Sequence, residues 1–128
     1  MDRGIITISE TGKVFMPAVP VWMTLIEIAD LFGVFFSDVR RAVRSIYKNR
    51  ESVEQDTMRY IKNDDRTSMD AYSLEVVIGV AFKLRSREIL FFRRYLISSL
   101  CLGGKEPGCL LFYIHGNRER NGIFGNLC

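Results

Sequence analysis

The chain has little from which to build chemistry. One histidine, one tryptophan and three cysteines occur in 128 residues. Cys101, Cys109 and Cys128 are odd in number and all lie near the C-terminus, which argues against a disulfide framework and for reduced thiols. No pair among these cysteines and His115 has the two-to-four-residue gap of a zinc knuckle, so no metal site is expected. A phosphate-binding glycine loop is lacking too, since Gly103-Gly104-Lys105 has neither the spacing nor the strand-to-helix setting. No motif places a nucleophile beside an acid or base, and Asp64-Asp65 reads as part of a turn. The expectation is a protein without cofactor or catalytic residue, and not an enzyme.

Long apolar runs are also missing. No segment reaches the roughly 18 apolar residues needed to span a bilayer. The opening MDRGIITISETGK holds no long apolar run with a small-residue cleavage site, so it does not read as a secretion signal. These absences set the expectation of a cytoplasmic protein with no membrane partner. A hydrophobic content of 48% against 26% charged residues belongs to a globular chain, long enough to bury a core without staples.

What is present centres on Thr24 to Lys48, TLIEIADLFGVFFSDVRRAVRSIYK, which reads as a helix-turn-helix. Leu25, Ile28, Ala29 and Phe32 share one helical face, and Thr24 with Glu27 makes a capping box. Gly33 follows where a tight turn needs a residue that accepts positive φ. Beyond it Val39, Ala42, Val43 and Ile46 form a second apolar stripe, opposite Arg40, Arg41, Arg44, Ser45 and Lys48. Small Ala29 and Val39 allow the two helices to cross closely, as when a second helix is presented to a major groove. A helical hairpin with a solvated charged face would give the same pattern.

Charge favours the groove reading. The chain is formally +3, yet residues 37 to 50 alone carry five basic side chains, Arg40, Arg41, Arg44, Lys48 and Arg50, against Asp38. The basic excess is therefore concentrated on one helix and its exit, the footprint expected of phosphate binding. Arg40, Arg41, Arg44 and Lys48 are candidates for phosphates or guanine edges, with Ser37 and Ser45 as lesser polar contacts to double-stranded DNA. So short a reading helix usually works in two copies, which points to a homodimer through the helix from Leu74 or the last helix.

Around this centre, Ile5, Thr7, Val14 and Met16 alternate as a hairpin with Ser9 to Lys13 as its turn. Pro17 and Pro20 should end its second strand, and Val21-Trp22 should lead into the Thr24 cap, with Trp22 anchoring the hairpin against the helices. Asn49 to Asp56 reads as a loop. Met58 to Ile61 and Arg66 to Tyr72, joined by the turn signal Asn63-Asp64-Asp65, can form a second hairpin or wing. From it Arg59, Lys62 and Arg66 could reach a phosphate backbone, although surface charges on a hairpin are usually just solvated. Leu74 to Phe82 reads as a helix apolar nearly all round, with Gly79 leaving room for a close neighbour. Ser86 is the cap of a last helix carrying Ile89, Phe92, Leu96 and Leu100 on one face.

Val21-Trp22-Met23-Thr24, Ile28-Ala29-Asp30-Leu31-Phe32-Gly33-Val34, Tyr72-Ser73-Leu74-Glu75-Val76-Val77-Ile78-Gly79-Val80 and Phe91-Phe92-Arg93-Arg94-Tyr95 together resemble the RhuM-type virulence protein family. The similarity covers roughly residues 4 to 100. It implies a bacterial, often mobile-element-associated protein with a DNA-binding domain, and it carries over no catalytic residue. Phe35 and Phe36 depart from that pattern, at a place where small or polar groups are expected. They could touch thymine methyls, pack beneath the preceding hairpin or mark a protein interface, with packing favoured for one of them.

The expected architecture is α+β: a helix-turn-helix of winged-helix-like type with flanking β-hairpins and two further helices over 1–102, then an irregular tail over 103–128. In the tail Gly103-Gly104 and Pro107-Gly108 forbid a regular helix, while Cys109 to Ile114 suits an edge strand if it is ordered. The functional expectation is a DNA-binding transcriptional regulator. A protein-interaction module derived from such a domain is the alternative.

Overall fold

A computed structural model describes residues 3–62 and 66–102. The turn signal at 63–65, the tail over 103–128, and with it Cys109, His115 and Cys128, lie outside the described residues. The fold is α+β, with five helices and two small antiparallel sheets among the described residues.

The chain opens with the expected hairpin, shortened to β1 (Thr7–Ile8) and β2 (Val14–Phe15), in which Thr7 faces Phe15 and Ile8 faces Val14. Its turn is closed by Ser9, whose amide donates to the Lys13 carbonyl and whose hydroxyl accepts from the Lys13 amide.

Trp22–Thr24 is a strand, β3, where the sequence suggested a plain lead-in. The correction has a physical origin. A three-residue strand preceded by Pro20 leaves almost no local pattern, and it exists because a partner 47 to 51 residues further along the chain pairs with it. That partner is β5 (Ser68–Ser73), which is paired on its other side by β4 (Met58–Lys62) in the order β3-β5-β4. Trp22 faces Ser73 and Thr24 faces Ala71, while Met58 faces Tyr72 and Lys62 faces Ser68. The expected second hairpin is thus present with β3 added along its edge. The Trp22 ring clusters with Ile61, Ala71 and Met69, all from this sheet, and so serves the sheet where an anchor between hairpin and helices was expected.

Thr24 ends β3 and begins α1 (Leu25–Phe32) at the same residue. Its hydroxyl accepts from the Glu27 amide and its own amide donates to the Glu27 carboxylate at 2.8 Å, completing the capping box. Arg3 donates to both oxygens of Glu27, fixing the carboxylate from the other side. At the far end Gly33 takes up φ 62°, and the Val34 amide reaches back to the Ala29 carbonyl at 3.1 Å. This is the left-handed stop that glycine makes without a steric penalty.

The second helix, α2 (Phe36–Lys48), buries the four expected residues Val39, Ala42, Val43 and Ile46. It has no side-chain N-cap, so its stability comes from that buried stripe, with Asp38 in the first turn and Lys48 in the last complementing the helix dipole. It ends as α1 does. The Glu51 amide bonds the Ile46 carbonyl and the Arg50 amide that of Tyr47, with Arg50 in the left-handed position at φ 57°.

The stretch expected to be a loop contains one helical turn, α3 (Glu54–Thr57). Buried Thr57 explains it: the hydroxyl donates to the Val53 carbonyl at 2.7 Å and lies 2.9 Å from the Tyr47 hydroxyl, tying the turn to α2. Helix α4 (Leu74–Ala81) buries Val76, Val77, Val80 and Ala81 and packs against α2. Gly79 meets α2 closely, since a β-carbon there would stand 2.9 Å from Ile46 Cδ1. Helix α5 (Arg87–Leu102) starts with the Ile89 amide donating to the Ser86 hydroxyl, and it buries Ile89 and Phe92. Phe92 packs against Phe32 of α1 with ring centroids 5.4 Å apart. One compact unit runs to Phe92, and Leu96 and Leu100, further along α5, are half-buried.

Candidate nucleic-acid interface

The orientation of α2 is fixed by its buried stripe, which packs toward α1 and α4. Helical geometry then decides where the other side chains go. Arg40, Arg44 and Lys48 follow one another at four-residue spacing and form one ridge, with Ser37, Arg41 and Ser45 forming the next. Ser37, Arg40, Arg41, Arg44 and Lys48 are exposed and Ser45 is half-buried. All six candidate residues therefore occupy the side of α2 away from its core contacts.

They are not equally available. Arg41 pairs with Asp38 one turn earlier. The Ser45 hydroxyl accepts from the Asn49 side chain at 3.2 Å at the helix exit. Arg40, Arg44 and Lys48 have no ion-pair partner among the described residues. These three cations face outward and offer N–H donors suited to phosphate oxygens.

The two aromatics at the start of α2 are uncovered. Phe35, the N-cap, is 80% exposed, and Phe36 is 44% exposed. The expectation that one of them packs is not met, because the buried stripe begins at Val39 and the backbone turn leaves both rings outside it. Phe36 stands four residues before Arg40 and so heads the cationic ridge.

The wing residues divide. Arg59 lies over the Trp22 ring, its guanidinium carbon 4.4 Å from the centroid, and is held there by a cation-π contact. Lys62 and Arg66 are exposed. Tyr60, 73% exposed, shares a strand face with Lys62, a placement that the sequence reading passed over although the two-residue spacing carries it.

The scaffold behind α2 holds buried polar groups, among them the Ser73 hydroxyl, which has no hydrogen-bond partner among the described residues. Tyr47 and Tyr72 stack obliquely at 6.3 Å, and burial pushes the Tyr72 hydroxyl up to about 12, with Asp70 adding to the effect. Burial likewise raises Tyr47, against the hydrogen bond it shares with Thr57. Neither phenol offers a general base near neutral pH. Among the described residues no three potential ligands gather as a metal site, and Cys101 is a free, exposed thiol. No helix among the described residues is long and apolar enough to cross a membrane. Comparison with known proteins adds nothing to this geometry, since no family model, curated protein or solved structure matches the chain.

Proposed function

We propose that this chain binds double-stranded DNA, with α2 entering the major groove as the second helix of a winged-helix-like module. The observation that carries the reading is the exposed ridge Arg40, Arg44 and Lys48, uncovered and without counter-charge among the described residues, opposite a fully buried apolar stripe. The topology supports it. The order β3, α1, α2, the single turn α3, β4, β5, with β5 central in the sheet, is compatible with a wing folded beside a helix-turn-helix and leaves the β4-β5 hairpin after α2. In this reading Arg40, Arg44 and Lys48 bind phosphates or guanine edges, Arg41 joins them by exchanging Asp38 for phosphate, and Ser37 and Ser45 add polar contacts. Lys62 and Arg66 give the wing a second, weaker phosphate contact.

The resemblance to the RhuM-type family extends the proposal to a bacterial regulator of a mobile or virulence-associated element, acting in the cytoplasm as a homodimer. The reading assigns no catalytic step. One observation favours a protein-interaction module as the second reading: Phe35 and Phe36, adjacent in sequence, are both exposed.

Binding of a fluorescent duplex measured against salt separates the two. Affinity should fall steeply as salt rises, and Arg40→Ala, Arg41→Ala and Arg44→Ala together should reduce the slope by about three phosphate contacts, or roughly 2.7 in the log–log plot. Equal binding and equal slope in wild type and triple variant would defeat the DNA reading.

A further inference from the structure

Two exposed phenyl rings beside a cationic ridge are poorly explained by phosphate binding alone. Phe35 makes no side-chain cap hydrogen bond and its ring stands almost wholly free, while Phe36 begins the line that continues through Arg40, Arg44 and Lys48. The partner for that line has to be complementary to both. It must present anions along the ridge and a small apolar group at the ridge's N-terminal end.

Duplex DNA meets both conditions in one surface. The phosphates supply the anions, and residues at the N-terminal end of a groove-entering helix are those that reach base edges. The apolar group that a major groove displays there is the C5 methyl of thymine, and a phenyl ring is among the side chains that contact it. We infer that Phe35 and Phe36 recognise thymine methyls in the major groove, so that the sequence preference of this protein is carried in part by an apolar contact. This rests on the reading of α2 as the DNA-contacting helix and names the base feature that its leading end reads.

The probes are two short alternating duplexes, adenine with thymine and adenine with uracil, which differ by the C5 methyl, titrated against the full chain at one salt concentration. Wild type should bind the thymine duplex roughly fourfold more tightly for each methyl covered. Phe35→Ala and Phe36→Ala should bring the ratio toward one without changing the salt slope, and Phe35→Leu, which keeps an apolar tip, should retain part of the preference. Because the methyl is removed from the DNA, the wild-type comparison does not depend on any variant folding. Salt-sensitive binding with equal affinity for both duplexes would overturn this inference and leave the DNA reading standing. Failure to bind either duplex at low salt would overturn both. If the alanine variants keep the thymine preference but lose self-association in sedimentation, the rings serve a protein contact and the inference is wrong.

Discussion

The δ1 methyl of Ile46 on α2 stands 2.9 Å from the point where a β-carbon on Gly79 of α4 would lie. The helix that carries the candidate interface is therefore seated against its neighbour at a place where one side chain has been left out. Alanine would gain about 1 kcal/mol over glycine inside a helix, and the overlap with Ile46 opposes that gain. In Ile46→Val, where the offending methyl is gone, Gly79→Ala should recover it. A double-mutant cycle in urea should give a coupling of about 1 kcal/mol, and additive behaviour would mean that the helices do not meet there.

The two ends of α1 make a second test. Thr24→Ala removes the capping hydroxyl and should cost about 1 kcal/mol. Gly33→Ala should cost about as much, because φ 62° strains any residue with a β-carbon and Glu88 Oε2 lies 3.0 Å from the added atom. Thermal melts followed by far-ultraviolet circular dichroism would read both losses.

At the exit of α2 the same left-handed position is held by Arg50. Arg50→Gly should stabilise the fold by about 1 kcal/mol by relieving the strain on a non-glycine residue. A rise in the urea midpoint checks this, and a fall would show that the arginine side chain is needed at the turn.

Acid stability should depend on Glu27. Burial pushes its carboxyl up, but hydrogen bonds from Arg3 and the Thr24 amide, with the Arg3 charge, outweigh burial and hold it below 4.5. A carboxylate depressed in the folded state stabilises the fold above its unfolded pKa, and that contribution disappears as pH falls through the lower folded value. Stability should therefore drop below about pH 4.5, and Arg3→Ala should flatten the drop. A pH series of urea midpoints is the measurement.

Alkaline behaviour should report on Tyr72. A phenol raised from 10 to about 12 stabilises the fold fully below pH 10, and the contribution is lost as pH climbs through 12. Absorbance near the tyrosinate band should show late-titrating phenols that ionise together with unfolding, and Tyr72→Phe should lessen the pH dependence above 10. Early, reversible ionisation of every tyrosine would contradict the buried setting.

Much of the fold was legible where the determinant is local. The Thr24–Glu27 box, the Gly33 stop, the stripe from Val39 to Ile46 and the Ser86 cap are each written within a few residues, and each stands where the pattern put it. Strand β3 was not legible because its cause is Ser73 to Ala71, far along the chain. The single turn α3 was hidden because Thr57 reads as polar until Tyr47 is beside it. At the candidate interface, composition located the cations, but Asp38 engaging Arg41 and Trp22 engaging Arg59 could be seen only in three dimensions. The uncovered state of Phe35 was likewise not written in its neighbours, since an aromatic at a helix start reads equally well as core.

The pairing of Trp22 with Ser73 has a mechanical meaning for everything strung between them. It fastens the chain into a ring whose circumference includes both helices of the candidate motif and the β4-β5 hairpin. Helix α2 is consequently a captive segment: cutting it out as a peptide, or shortening the chain ahead of β5, would unclasp the ring and leave the arginines on a floppy tether. The exposed ridge is thus mounted on a loop closed at its base by strand pairing.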